Sequence, residues 1–208
     1  MDKTRLEFLS DGVFAIVFTL LIIEIHVPEF HHSHVTNQEL WQALVSITPL
    51  FISYYVSFVV LTMFWISHHA LFGLIKHTIN RKIILINFAF LCMIAFVPFS
   101  ANLIGTHAGT ELAFVVYGLN IFAIGIINLA MLKYAHYSND IDTSIITPRL
   151  FKQAVFRFTI TPLFSIIGII VVFFSFPLAL FFFAFPILFN IIPGGLNYLE
   201  NKFNLNFE

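Results

Sequence analysis

Long stretches without Asp, Glu, Lys or Arg set the hydrophobic pattern of this chain. Four of them occupy residues 40–75, 83–110, 112–132 and 158–199. A helix crosses the hydrocarbon core of a bilayer in about 20 residues, so each of the first three stretches predicts one membrane span. The fourth is too long for one crossing, and Pro177 within it predicts a tight hairpin because proline breaks helices.

The N-terminal segment 8–27 is also mostly apolar, with Asp11 and Glu24 near its ends. A cleaved signal peptide would have an uninterrupted apolar core and a small-residue cleavage site, and neither is present. The segment is therefore predicted to be a retained first span. Six transmembrane helices result, at about 8–27, 44–72, 83–104, 112–133, 154–175 and 177–193.

Composition supports an all-α integral membrane protein with one six-helix domain over 1–208. Hydrophobic residues make up 59% of the 208 residues and charged residues only 10%, where about 25% charged is usual for a soluble domain. A soluble domain of this size could not bury so much apolar surface. The same apolar composition excludes a disordered chain, a disulfide scaffold and a nucleic-acid binder. Cys92 is the single cysteine, so no intrachain disulfide can form, and the net charge of −1 indicates no polyanionic partner.

The basic residues orient the predicted spans. They lie in the N-terminal tail, in the second-to-third and fourth-to-fifth connections and in the C-terminal tail, whereas the other three loops contain none. By the positive-inside rule, both termini are predicted to be cytoplasmic. The basic residues are Lys3, Arg5, Lys76, Arg81, Lys82, Lys133, Arg149, Lys152, Arg157 and Lys202.

Polar residues of the first three spans are predicted to meet near the inner membrane surface. An unpaired charge at this depth costs several kcal/mol, so these groups are expected to pair, with an Arg–carboxylate contact among them. The cluster is consistent with a structural link between three helices or with a proton relay. Its members are Arg5, Ser10, Asp11, Trp65, His68, His69 and Asn87.

Metal and catalytic sites are not predicted. His68 and His69 are adjacent and point about 100° apart on a helix, whereas chelating pairs use i, i+4 spacing. The loop that contains His31, His32 and His34 is predicted to be a solvated polar loop, with divalent-ion binding as the alternative. No nucleophile elbow, phosphate-binding glycine loop or paired carboxylates occur in the spans, so the protein is predicted not to be an enzyme and to need no cofactor.

Residues 5–16, Arg-Leu-Glu-Phe-Leu-Ser-Asp-Gly-Val-Phe-Ala-Ile, resemble a family signature. The signature is the Arg-x-x-x-Phe-Ser-Asp motif of the lysosomal and prokaryotic potassium channels related to transmembrane protein 175, with Leu9 here at the Phe position. Trp65, His68-His69 and Asn87 continue the similarity. The resemblance implies a leak-type, K⁺-permeable channel without a pore loop. It also implies a homotetramer in a prokaryotic plasma membrane.

The same resemblance implies which residues line the pore. The apolar constriction falls on Ile16, Leu20 and Ile23, and a threonine ring falls on Thr19. Their spacing places the three apolar residues on one helical face, which from sequence alone is equally consistent with a lipid or packing face. Such rings would gate by dewetting and favour K⁺ over Na⁺. Glu24 is predicted either to concentrate cations at the outer mouth or to pair with a neighbouring helix.

Two other functions stay open from the residues. Asp11, His68 and His69 could serve a proton-coupled secondary transporter or a proton-permeable channel. A membrane enzyme or haem-binding subunit is the second alternative, and no further histidine pair at suitable depth supports it. Flux that depends on a proton gradient would distinguish the transporter from a passive channel.

Overall fold

The protein is α-helical throughout the part of the chain that the computed structural model describes, which comprises residues 2–30, 34–76, 79–144 and 146–187. Eight helices and no strand occur in these ranges. The helices are α1 (Lys3–Ile23), α2 (Asn37–Ser46), α3 (Thr48–Gly73), α4 (Arg81–Ala95), α5 (Val97–Thr106), α6 (Glu111–Tyr137), α7 (Pro148–Val171) and α8 (Phe176–Ala184).

Five helical segments in the described ranges are long and apolar enough to cross a membrane. Four of them are the single helices α1, α3, α6 and α7, and the fifth is formed by α4 and α5 in succession. They correspond to the first five predicted spans. The sixth predicted span, 177–193, begins with α8, but its residues after 187 lie outside the described part of the chain, as does Lys202. All-helical, membrane-spanning architecture is therefore as predicted.

Prolines divide two of the predicted helices. The predicted helix 83–104 is α4 followed by α5, with a break at Phe96 and Pro98 in the first turn of α5. The predicted helix 44–72 is α3, preceded after a break at Ile47 by the separate α2, with Pro49 in the first turn of α3. Proline lacks the N–H that would continue a preceding helix and is tolerated in a first turn, so each break falls just before one.

The predicted hairpin between the last two spans is present. α7 ends at Val171 and α8 begins at Phe176, with Pro177 in its first turn. Ring stacking of Phe164 on Phe185, 5.0 Å between centroids, pairs the two helices in antiparallel orientation. Gly168 allows this approach, because a Cβ there would lie 2.4 Å from the ring of Phe183.

Several basic segments gather at one end of the bundle. The Lys3 ammonium donates to the carbonyl of Ile75 at 2.7 Å. Lys76 contacts Asp142 at 3.8 Å and Ser144 at 2.6 Å. The start of α1, the α3–α4 connection and the α6–α7 connection therefore lie at the same end, which we call the basic end.

The first helix lies at the edge of the bundle, where it packs on α3, α4 and α5. The buried polar and apolar side chains of α1 form a single stripe made of Leu6, Ser10, Phe14, Val17 and Leu21. Of the five candidate spans, α1 is the least buried within the chain. The rest of its surface is left for water, lipid or other copies of the protein.

Candidate functional site on the first helix

The outward face of α1 is apolar over its second half. Ile16, Leu20 and Ile23 are 59%, 38% and 64% exposed, although each is a large hydrophobic residue. Thr19 is exposed beside them. The structure therefore places all four predicted constriction and ring residues on the uncovered part of α1, outside the stripe that contacts α3, α4 and α5.

Thr19 is the single polar side chain of α1 between Gly12 and Ile23. Its hydroxyl donates to the carbonyl of Ile16 at 2.7 Å. Because the proton is used within the helix, the lone pairs of the oxygen remain available outward. A hydroxyl held in this way can coordinate a cation.

A buried hydrogen-bonded chain joins α1, α3 and α4. Asn87 donates through Nδ2 to Ser10 Oγ at 3.1 Å, and its Oδ1 lies 2.8 Å from Nε2 of His68. Ser10 in turn donates to the carbonyl of Leu6 at 2.8 Å. Ser10 and Asn87 are fully buried and His68 is 3% exposed, so His68 depends on Asn87 for its hydrogen bond, and Asn87 depends on His68 and Ser10.

Aromatic rings enclose the imidazole of His68. Phe72 stacks on it with 4.5 Å between centroids, and Phe90 stacks at 5.2 Å. The row of hydrogen bonds through Ser10, Asn87 and His68 ends at the backbone carbonyl of Leu6 on one side. On the other side it ends at the imidazole of His68, which lies among aromatic rings. This geometry suits a rigid link between three helices.

Asp11 belongs to a different, exposed contact. The indole N–H of Trp65 donates to Asp11 Oδ1 at 2.9 Å, and His69 stacks on Trp65 with 5.8 Å between centroids. His68 and His69 thus have separate surroundings, as their adjacent helical positions require.

The predicted cluster is therefore two sets of contacts rather than one. In the described part of the chain, Arg5 has no ion pair with Asp11. The two residues are six positions apart on one helix, so they point about 120° away from each other. Within a single chain, the predicted Arg–carboxylate contact is replaced by the bond from Trp65.

Glu24 links the C-terminal end of α1 to α5 through a hydrogen bond. Asn102 of α5 donates through Nδ2 to Glu24 Oε2 at 2.7 Å. Of the two roles predicted for Glu24, the structure shows the pairing with a neighbouring helix. Asn102 was not identified from the sequence, although it is an amide within a long charge-free stretch, which is the kind of residue that needs a partner.

The described residues include no group of three His, Cys, Asp or Glu side chains that could hold a metal ion. His31 and His32, the candidates for divalent-ion binding in the outer loop, lie outside those residues.

Comparisons with known proteins identify the family. The sequence model described as "Endosomal/lysosomal potassium channel TMEM175" matches residues 5–98, which contain Ser10, Asp11, His68 and Asn87. A potassium channel of Chryseobacterium sp. (strain P1-3) is 31% identical over 196 residues, covering 93% of this chain and 94% of that one. The chain belongs to the TMEM175 family. The family is one of channels, so the prediction that the protein is not an enzyme is confirmed.

A solved structure agrees with this assignment. The crystal structure of a lysosomal potassium-selective channel TMEM175 homolog from Chamaesiphon minutus superposes with a TM-score of 0.76 and 27% identity, covering 90% of this chain and 95% of that one. An animal member from Gallus gallus, named an endosomal/lysosomal proton channel, is 35% identical over 118 residues. That match covers 52% of this chain but 22% of the animal protein.

Proposed function

We propose that this TMEM175-family chain is the subunit of a homotetrameric, K⁺-permeable leak channel in a prokaryotic plasma membrane. The observation that carries the proposal is the uncovered face of α1, on which Ile16, Thr19, Leu20 and Ile23 stand exposed in the single chain. Four copies of this face, brought together on one axis, form the pore. The bacterial relative's name as a potassium channel and the likeness to the potassium-selective homolog support the ion assignment.

The exposed carboxylate of Asp11 favours water, rather than lipid, beside the open face of α1. Asp11 is exposed and lies about 12 Å along the helix from Lys3, at 1.5 Å per residue. A carboxylate facing hydrocarbon is costly, whereas one facing an aqueous vestibule keeps its hydration. The position of Asp11 therefore supports placing the open side of α1 toward the tetramer axis.

The closed barrier in this proposal is made of apolar rings. Four copies each of Ile16, Leu20 and Ile23 narrow the path below the size of a hydrated ion, so water leaves the constriction and conduction stops. Opening requires the helices to move apart. K⁺ holds its hydration water less tightly than Na⁺, which favours K⁺, and four Thr19 hydroxyls replace part of the lost hydration.

Orientation follows from the basic end of the bundle. The N-terminus and the α3–α4 and α6–α7 connections lie together there, and basic loops are retained on the cytoplasmic side. With a sixth span that starts at α8, both termini are cytoplasmic. Glu24 and Asn102 then hold α1 against α5 at the outer end.

Proton permeation is the second candidate, because an animal member of the family is named a proton channel. A side-chain relay does not support it: in the ranges that the structure describes, no hydrogen bond joins the Ser10–Asn87–His68 chain to Asp11. Protons would instead pass through the same water-filled pore. The proton-coupled transporter would use Asp11, His68 and His69, and the dependence of flux on a proton gradient distinguishes it from the passive channel.

Reconstitution of the purified protein tests the function. We expect a tetramer mass in detergent. We expect K⁺ efflux from K⁺-loaded liposomes to exceed Na⁺ efflux from Na⁺-loaded liposomes. The K⁺ efflux should proceed without an imposed proton gradient and without an added cofactor. Efflux that stops when the proton gradient is removed would establish the transporter. Proton flux without K⁺ flux would establish the second candidate, and protein-free liposomes are the control.

A further inference from the structure

A groove opens between α3 and α7 near the basic end of the bundle. It has a volume of about 250 Å³. Its walls are apolar except for Gln153 and Arg157, both from α7, and Arg157 carries the charge of the lining. Its lining includes Leu71, Leu74, Leu150, Ala154, Phe158 and Arg157.

Arg157 is the cation of this groove, and it has no counter-ion in the described ranges of the chain. Its Nε is buried and has no hydrogen-bond partner. Other basic groups at the same end are bound within the chain, such as Lys76 by Asp142 and Ser144. A guanidinium held partly out of water without an anion is costly, so an anionic ligand beside Arg157 would stabilise the groove.

The depth of the groove matches the boundary between lipid headgroups and acyl chains. Arg157 is the last charged residue before the charge-free stretch 158–199, and Leu74 lies next to the end of the charge-free stretch 40–75. The groove therefore begins where both helices become continuously apolar. A ligand there meets a cation at its polar end and hydrocarbon along the rest of its length.

We propose that this groove binds an anionic phospholipid, with the phosphate on Arg157 and an acyl chain along Leu71, Ala154 and Phe158. The planar guanidinium donates two parallel hydrogen bonds to phosphate oxygens. Basic pockets between spans on the cytoplasmic side are suited to anionic headgroups. A free phosphate ion would leave the apolar walls uncovered, whereas the phospholipid satisfies both the charge and the walls.

Native mass spectrometry of the purified full chain tests the site through lipid retention, independently of ion flux. The protein is titrated with phosphatidylglycerol or phosphatidylcholine of the same acyl chains. We expect about tenfold tighter binding of phosphatidylglycerol, because its phosphate is a net anion, whereas the choline ammonium of phosphatidylcholine offsets the charge of the same phosphate. Arg157→Gln should reduce this preference to near unity. Arg149→Gln is the matched control, since Arg149 is exposed and lies outside the groove.

A second variant distinguishes the contribution of the apolar groove to lipid binding from that of the Arg157 charge. Ala154→Leu fills the groove while it keeps Arg157, and it should weaken phosphatidylglycerol binding without loss of thermal stability in lipid-free detergent. The proposal is overturned if Arg157→Gln keeps the full preference, or if Arg149→Gln abolishes it equally. It is also overturned if Arg157→Gln dissociates the oligomer with the lipid preference intact, because the partner of Arg157 would then be a second copy of the chain.

Discussion

Ile23→Ser is expected to raise the basal K⁺ flux of reconstituted protein by about tenfold or more. Ile23 is 64% exposed on the open face of α1, and in the proposed tetramer its four copies form the outermost apolar ring. Four serines there let water remain in the constriction, which lowers the barrier to ion passage. A barrier lowered by about 1.4 kcal/mol corresponds to tenfold in rate. Ile16→Asn and Leu20→Ser are expected to act in the same direction.

Ile170→Ser is the matched control for this gate. Ile170 lies on α7 and is 56% exposed, so the same change of side chain is made on a surface of similar exposure away from α1. Flux through this variant should equal that of the unchanged protein. If none of the three α1 variants raised the flux, these residues would not form the barrier.

Asn87→Leu is expected to lower the free energy of unfolding by about 2–5 kcal/mol, because the substitution leaves a buried imidazole without a partner. His68 would lose its hydrogen bond at 2.8 Å while it remains enclosed by Phe72 and Phe90. Ser10 keeps its bond to the carbonyl of Leu6, so the greater part of the loss comes from His68. Thermal unfolding in detergent measures the change.

Asn128→Leu provides the comparison for this loss. Asn128 on α6 is 3% exposed, and its Oδ1 already lacks a hydrogen-bond partner among the described residues. The same substitution there removes an unpaired polar atom and should leave stability unchanged or raised. Equal destabilisation by both variants would show that the Ser10–Asn87–His68 chain contributes nothing specific.

The span pattern was predictable because it depends on local hydropathy. Charge-free stretches are long in this sequence, and the bilayer fixes how many residues one crossing needs. The breaks at Ile47 and Phe96 follow from Pro49 and Pro98, and they were missed because the apolar pattern continues across both. The separate α2 was missed for the same reason: its boundary lies inside a stretch that reads as one span.

The sequence predicted which polar residues of the first three spans lie together, but not which of them are hydrogen-bonded to each other. The sequence predicted that Ser10, Asn87 and His68 lie at one depth, because each stands near the cytoplasmic end of one of three successive antiparallel spans. Which of two adjacent histidines faces inward depends on helix rotation, and that is set by packing of Phe72 and Phe90 around His68. The apolar content of α1 gave no rotational information, since nearly every residue of its second half is hydrophobic.

The claim that α1 lines the conduction path is tested most directly by cysteine block in a Cys92→Ser background. Thr19→Cys places four thiols on the open face, whereas Val17→Cys places them on the stripe buried within each subunit, where Val17 is 2% exposed. Cd²⁺, a soft cation that thiolates bind, should stop K⁺ flux through Thr19→Cys and leave flux through Val17→Cys unchanged. Unblocked flux through an assembled Thr19→Cys channel would contradict the account.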